Sequence, residues 1–211
     1  MRKIILFLTS CVFLTSVFAD HGVYTYAKHG NIFFYSNNQH KVLQLTHDGI
    51  DKDPVLSPNR EWLVFIRKTN HVMSDNCAAF AETGSKYSDE IWVYDFKKMQ
   101  LHRLVKNNFL CNHPTKMIVD PQDLLFSPDS KTVYFETSAW ATSDAIHAIN
   151  PNGKKLRLVT DANEYHVIQH GIYKGDLVVN QHRYHSKGGS YDWDWLFSPG
   201  GKQIKLYRRE E

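Results

Sequence analysis

The sequence predicts an all-β protein assembled from repeated antiparallel hairpins. Aromatic residues make up 13% of its 211 residues, and Val, Ile and Thr are frequent, which favours strands over helices. One hairpin pattern recurs, as in "AINPNGKKLRLVT" (148–160) and "LFSPGGKQIKLYR" (196–208). An apolar strand, a small polar residue and a short turn precede a second alternating strand. Alternation around Asn, Gly and Pro turns is typical of β-hairpins.

This hairpin occurs four times without a gap. The other two copies are "NIFFYSNNQHKVLQLT" (31–46) and "EIWVYDFKKMQLHRLV" (90–105). A ring-bearing residue stands three positions before the small polar residue in each copy: Phe33, Trp92, His147 and Trp195. Because the two tryptophans fall at matching positions of the repeat, we expect them to pack inside the fold rather than to bind a ligand.

A second type of hairpin lies between these copies. "DPVLSPNREWLVF" (53–65) and "DLLFSPDSKTVYF" (123–135) align through a Ser-Pro turn, and "HGIYKGDLVV" (170–179) is a weaker version. The two hairpins alternate and form four-stranded units near residues 20–46, 53–105, 123–160 and 166–208, with one strand missing from the first. Repeated four-stranded units are typical of β-propeller blades. We therefore expect a single domain of about four blades, in a closed small ring or an open arc.

These repeats resemble the WD-like β-propeller repeat of TolB-type periplasmic proteins. "LQLTHDGIDKDPVLSPNREWLVF" (43–65) is similar to the whole repeat of that family, and "DPQDLLFSPDSKTVYF" (120–135) to its second half. Asn59-Arg60 and Asp129-Ser130 stand where the family prefers Asp-Gly. The resemblance covers about three units and implies a scaffold or adaptor role in an envelope assembly.

Residues 1–19 have the pattern of a secretory signal peptide. Arg2 and Lys3 precede a mostly apolar run that ends at Ala19, and small residues before a cut complete the pattern. We expect 20–211 to be exported, to the periplasm or the medium of a bacterium. A lipoprotein attached at Cys11 is the alternative. The apolar run is too short to be a transmembrane segment, and we expect none elsewhere.

The order of the loops assigns them to two faces, because propeller loops alternate between faces. The long connections fall on one face, and the short turns fall on the other; the long ones cover 47–53, 67–90, 106–120, 138–144, 161–166 and 182–192. Cys77 and Cys111 lie in two neighbouring long connections. Because an exported protein with two cysteines most simply forms one disulfide, we predict a Cys77–Cys111 bond.

No motif for a nucleophile, a phosphate or a cofactor occurs in the chain. A formal charge of +3 does not favour a nucleic-acid partner. The candidate binding residues on the loop-rich face are Trp140, Tyr165, His166, His182, His185, Tyr191 and Trp193. We assign no catalytic residue, metal or cofactor.

Two functional hypotheses follow from these observations. The first is a non-catalytic exported propeller that binds a protein or peptide through the loop-rich face. The alternative is a small carbohydrate-active enzyme, a lyase or hydrolase, with a metal held by His166, His182 and His185. If the ring is open, we also expect the chain to form a homo-oligomer, because unpaired sheet edges attract partners.

Overall fold

The computed structural model describes residues 22–37, 40–72, 87–110, 112–140 and 143–209. The predicted signal peptide and the predicted Cys77–Cys111 disulfide lie outside these residues. The described part contains fifteen strands, the number that the hairpin repeats predict: β1 Val23–Lys28, β2 Asn31–Ser36, β3 Lys41–Gln44, β4 Asp51–Leu56, β5 Trp62–Arg67, β6 Glu90–Asp95, β7 Gln100–Val105, β8 Gln122–Phe126, β9 Val133–Thr137, β10 Asp144–Ile149, β11 Arg157–Ala162, β12 Glu164–Val167, β13 Leu177–Tyr184, β14 Ser190–Phe197 and β15 Gln203–Arg209. A 3-10 turn at Pro114–Lys116 accompanies them. The predicted all-β class is confirmed.

The strands form four antiparallel sheets that follow one another along the chain. The first sheet has the order β1-β2-β3, and the others run β4 to β7, β8 to β11 and β12 to β15, each strand beside its neighbour in sequence. β4 contacts β8, and β8 contacts β12, so the first strands of successive sheets form the inner ring of a propeller. Within the described residues, no hydrogen-bonded strand pair joins the first sheet to the fourth.

The core lies between adjacent sheets because side chains alternate along each strand. On β5, Leu63 and Phe65 pack toward the first sheet, whereas Val64 and Ile66 pack toward the third. All four are almost fully buried. At ~1.5–3 kcal/mol for each large apolar side chain removed from water, such contacts supply the main stabilisation of the stack.

The two tryptophans of the repeat lie in these interfaces, as the sequence predicts. Trp92 packs at the first interface and Trp195 at the third. An arginine stacks on each of them: Arg67 lies 4.3 Å from the Trp92 ring centre, and Arg183 lies 3.9 Å from that of Trp195. The two tryptophans are therefore structural parts of the repeat.

The backbone conformation of the Ser-Pro turns explains why the TolB-type family prefers glycine at the positions of Arg60 and Ser130. Arg60 and Ser130 have φ angles of +62° and +61°, a left-handed conformation that glycine adopts at the least cost. Ser130 has a compensating contact, because its Oγ accepts a hydrogen bond of 3.0 Å from the main-chain N of Asn59 in the neighbouring sheet. The two turns thereby join the second sheet to the third on the short-turn face.

Candidate binding site at the loop-rich face

Two of the long connections predicted to share one face contact each other there. The Asn107 side chain donates to the Ser88 carbonyl at 2.9 Å and to Thr69 Oγ1 at 3.3 Å. Ser88 Oγ accepts from the main-chain N of Asp120 at 3.2 Å. These bonds link the 67–90 connection to the 106–120 connection, so the two loops share one face of the molecule, as predicted.

The first sheet lacks an inner strand within the described residues. The main-chain N of Asp51 donates to the carbonyl of Gly30 at 2.8 Å, so β4 begins where β1 ends. Since β4 also lies beside β1, the two strands run in opposite directions. β5, β9 and β13 likewise run against the inner strands β4, β8 and β12. β1 therefore occupies the second position of its sheet, and the first position is unfilled by any described strand.

An open cavity of about 1330 Å³ lies between the first three sheets. Thr25 and Tyr26 of β1 form one wall, and residues 52–55 of β4 and 122–125 of β8 form the others. Ile66 of β5 and six residues from the connections of the loop-rich face complete the lining: Lys68, Thr69, Tyr87, Asp89, Asp120 and Pro121. A cavity of this size exceeds that of a usual small-molecule pocket, and it can accommodate a peptide segment.

Two aspartates at equivalent positions shape the walls of the cavity. Asp53 and Asp123 have φ angles of +51° and +49°, and each sits at a register shift between its strand and the next. Such β-bulges bend a strand and redirect its side chains. The repeat of this Asp in the sequence therefore marks a bulge on each of two inner strands, and both bulges line the cavity.

The cavity lining is acidic overall. It carries Asp53, Asp89, Asp120 and Asp123 against Lys52 and Lys68, which is a net charge of −2 from four negative and two positive groups. Lys52 Nζ lies 3.1 Å from Asp89 Oδ2. Behind Asp123 stands Glu136, which is 2% exposed. Burial, together with the nearby Asp123 and Asp144 carboxylates, raises the pKa of Glu136 from 4.5 to about 8.

Three of the predicted site residues, His185, Tyr191 and Trp193, come together on the fourth sheet, and His182 lies on the opposite face of the same hairpin. The ring centres of His185 and Tyr191 are 4.5 Å apart, and those of Tyr191 and Trp193 are 4.2 Å apart. His182 Nδ1 lies 2.8 Å from Asp192 Oδ1. β13 and β14 have eight residues each, whereas their counterparts in the other sheets have five or six. This longer hairpin extends the sheet at its loop-rich end and displays the aromatic group.

The other three predicted residues lie apart from this group. Trp140, 37% exposed, belongs to the connection between β9 and β10. Tyr165 donates its hydroxyl to the main-chain carbonyl of Asp123, and burial raises its pKa well above 10, so it joins the third sheet to the fourth. His166 is exposed on β12.

Sequence analysis did not identify the residues that line the cavity as a site. The signal was present, since Asp53 and Asp123 align in the two copies of the Ser-Pro hairpin. A repeated Asp can mark a turn, a strand end or a bulge. Only the placement of β1 shows that these two line an open space.

The metal-dependent alternative gains no support from the geometry. In the part of the chain that the structure describes, no group of three or more His, Cys, Asp or Glu side chains is arranged to hold a metal ion. His182 is engaged by Asp192, and His185 stacks on Tyr191.

No helix of the described part is both long and apolar enough to span a bilayer.

Comparison with known proteins identifies the fold. No family model matches the sequence, and no curated protein matches it. TolB from Acinetobacter baumannii superposes on 89% of this chain and 41% of its own, at 15% identity and a TM-score of 0.50. Dipeptidyl peptidase 4 from Porphyromonas gingivalis gives 12% identity and a TM-score of 0.61, over 89% of this chain and 31% of its own.

A third similar structure is the β-propeller domain of the Trilobed protease from Pyrococcus furiosus, described as having an open velcro topology. It matches at 13% identity and a TM-score of 0.55, over 89% of this chain and 53% of its own. This chain thus spans about half or less of each solved structure. At such identities the likeness shows the fold, which is that of a TolB-like β-propeller.

Proposed function

We propose that this TolB-like β-propeller is a non-catalytic, exported scaffold that binds a protein or peptide at its loop-rich face. The cavity between the first three sheets is the observation that carries the proposal, because its walls belong to three sheets and its rim to the long connections. A binding role needs a preformed surface of this kind and needs no reactive constellation.

The solved structures with this fold include both TolB and peptidases. Fold alone therefore does not select between a binding and a processing role. The absence of catalytic motifs from the sequence favours binding. Export is supported by the leader-like residues 1–19, and protein sequencing of the envelope fraction tests it: a mature chain that starts at Asp20 is expected.

Cross-linking of the purified chain in an envelope extract tests the binding role. A purified chain of residues 20–211 is cross-linked to its partner through lysines, and the linked peptides are identified by mass spectrometry. We expect the links to involve Lys52, Lys68 and other lysines of the loop-rich face. The variant Asp89→Arg breaks the ion pair with Lys52 and replaces a negative charge of the cavity lining with a positive one. It is therefore expected to weaken capture.

Ile172→Ser is the matched control, because Ile172 is 90% exposed and does not line the cavity. Capture by this variant should equal that of the unmodified chain. Links confined to the short-turn face, with capture indifferent to Asp89→Arg, would contradict the proposed function.

A further inference from the structure

We propose that the partner adds an extended, positively charged segment to the free edge of β1 and so supplies the missing inner strand of the first sheet. This inference rests on the proposed function and specifies how the site is used. Three independent features of the described residues support it: the hydrogen-bonding direction of β1, the comparison with the other sheets, and the charge of the cavity.

The hydrogen-bonding direction of β1 leaves alternate residues unpaired. The main-chain N of Asn37 donates to the carbonyl of Gly22, which fixes Gly22 and Asn37 as a hydrogen-bonded pair of the antiparallel ladder. Such pairs alternate with pairs whose main-chain groups point outward. In the register of β1 and β2, Tyr24, Tyr26 and Lys28 therefore bond to β2, and Val23, Thr25 and Ala27 direct their N–H and C=O groups away from it.

No hydrogen bond to these outward main-chain groups occurs within the described ranges, where β1 has β2 as its only strand partner. An unpaired row of donors and acceptors is a template for an incoming strand. Val23 and Thr25 are half-buried and Ala27 is exposed, so the edge borders both the sheet interior and solvent.

The other three sheets show what this edge is built to receive. The counterparts of β1, which are β5, β9 and β13, are each paired on both sides. Their inner partners β4, β8 and β12 are short antiparallel strands of four to six residues. An added strand of this length, antiparallel to β1, would give the first sheet the same four-stranded order as the others.

The charge of the cavity defines the kind of segment that fits. Thr25 and Tyr26 face a lining with a net charge of −2, and Asp53 and Asp123 contribute to it on the two neighbouring inner strands. A segment that alternates apolar residues with Lys or Arg would place its charges near these aspartates while its backbone pairs with β1. Charge complementarity of this type selects partners and speeds their encounter.

Peptide binding to the chain of residues 20–211 tests the proposal. The probe is a seven-residue peptide of alternating Lys and Val with blocked ends, and a Glu and Val peptide is its control. We expect saturable binding of the Lys peptide only, with slowed amide exchange at Val23, Thr25 and Ala27. Thr25→Pro should weaken this binding by about tenfold or more, since it removes an edge donor.

The variants separate the edge from the fold. Thr25→Pro leaves the bonds between β1 and β2 in place, Thr25→Val keeps the donor and should bind normally, and Ala27→Pro repeats the test two residues away. Equal binding by Thr25→Pro would overturn strand addition while leaving cavity binding intact. Slow exchange at these three amides before any peptide is added would overturn it too, and a dependence on protein concentration would identify a second copy as the occupant.

Discussion

Glu136 is the residue whose surroundings are least expected from sequence. It lies on β9 with 2% of its surface exposed, and its Oε1 has no hydrogen-bond partner within the described residues. Carboxylates face it from three other strands: Asp123 on β8, Asp144 on β10 and Glu164 on β12. Burial and these charges favour the protonated form and raise the pKa of Glu136 to about 8.

This raised pKa makes stability depend on pH in a defined direction. Between about pH 4.5 and 8 the folded state holds a proton that the unfolded state has lost, so the free energy of unfolding falls as pH rises, by up to ~1.4 kcal/mol per pH unit. Glu136→Gln keeps the shape and removes the titration. We expect chemical denaturation to give this variant a relative gain in stability that grows from pH 5 to pH 8.

His147 provides the opposing slope in the same experiment. Burial lowers the pKa of His147 from 6.5 to about 4, and its Nε2 lies 3.1 Å from Thr137 Oγ1. Its stabilising contribution is present above pH 6.5 and is lost as pH falls toward 4, so it opposes Glu136 in that window. The fall in stability caused by Glu136 should therefore be clearest from pH 6.5 to 8. If the stability of Glu136→Gln followed pH in parallel with that of the unmodified chain, the pKa of about 8 for Glu136 would be contradicted.

At the scale of elements, the first turn and the connection to the second sheet are held at close range. Gly30 has a φ of +70°, and a Cβ there would lie 2.1 Å from the main-chain carbonyl oxygen of Gly49. The main-chain N of Gly49 also donates a hydrogen bond of 3.0 Å to Asn31 Oδ1. This contact holds the end of β1 beside the start of β4.

Gly30→Ala should destabilise the protein by about 2 kcal/mol or more, from the left-handed φ and the clash together. Gly153→Ala is the matched control, because Gly153 has a φ of +81° and nothing within 4 Å of an added Cβ. It should lose only the conformational part, of the order of 1 kcal/mol. Equal losses in thermal unfolding would show that the turn and the connection do not touch.

The second sheet contains a buried ion pair that locks its loop-side end. Arg67 donates to both carboxylate oxygens of Asp51, at 2.6 and 2.8 Å, and the Asp51 side chain is fully buried. Removing one partner leaves a buried charge uncompensated. We expect Asp51→Ala to cost about 3 kcal/mol in urea denaturation, moderated by Asp48, which lies 3.1 Å from Arg67. A loss under about 0.5 kcal/mol would show that the pair contributes little.

The sequence predicts the strands and hairpins well, but it predicts less well which of them lie beside one another in space. Local alternation and turn residues mark the hairpins, and the ungapped repeat shows that they form similar sheets, so the class and the number of strands follow from it. The cavity depends on the position of β1 relative to β4 and β8, which no local pattern encodes. Tyr165 illustrates the same limit, since the hydroxyl of this predicted binding residue also joins two strands by donating to the Asp123 carbonyl, a contact that the sequence does not show.

For the whole molecule, the first sheet presents a face that its counterparts bury. Tyr26 stacks on Phe33 with ring centres 5.2 Å apart, at the position where Phe65 and Trp92 meet in the second sheet. Tyr24 and Val42 on this face are 47% and 51% exposed. Tyr35 lies on the same face, with its ring centre 4.8 Å from that of Tyr24. Because the arc ends here, we expect its solution mass to rise with concentration in sedimentation, and Tyr35→Glu to suppress the rise. A constant monomer mass would contradict this.

The open first sheet is the feature on which the cavity, the edge and the proposed binding mode all depend. Residue-resolved amide exchange of the chain 20–211, measured by NMR without any ligand, tests it most directly. We predict slow exchange at Tyr24, Tyr26 and Lys28 and fast exchange at Val23, Thr25 and Ala27. Uniformly slow exchange along β1 would mean that the sheet is already complete, and the account would fail.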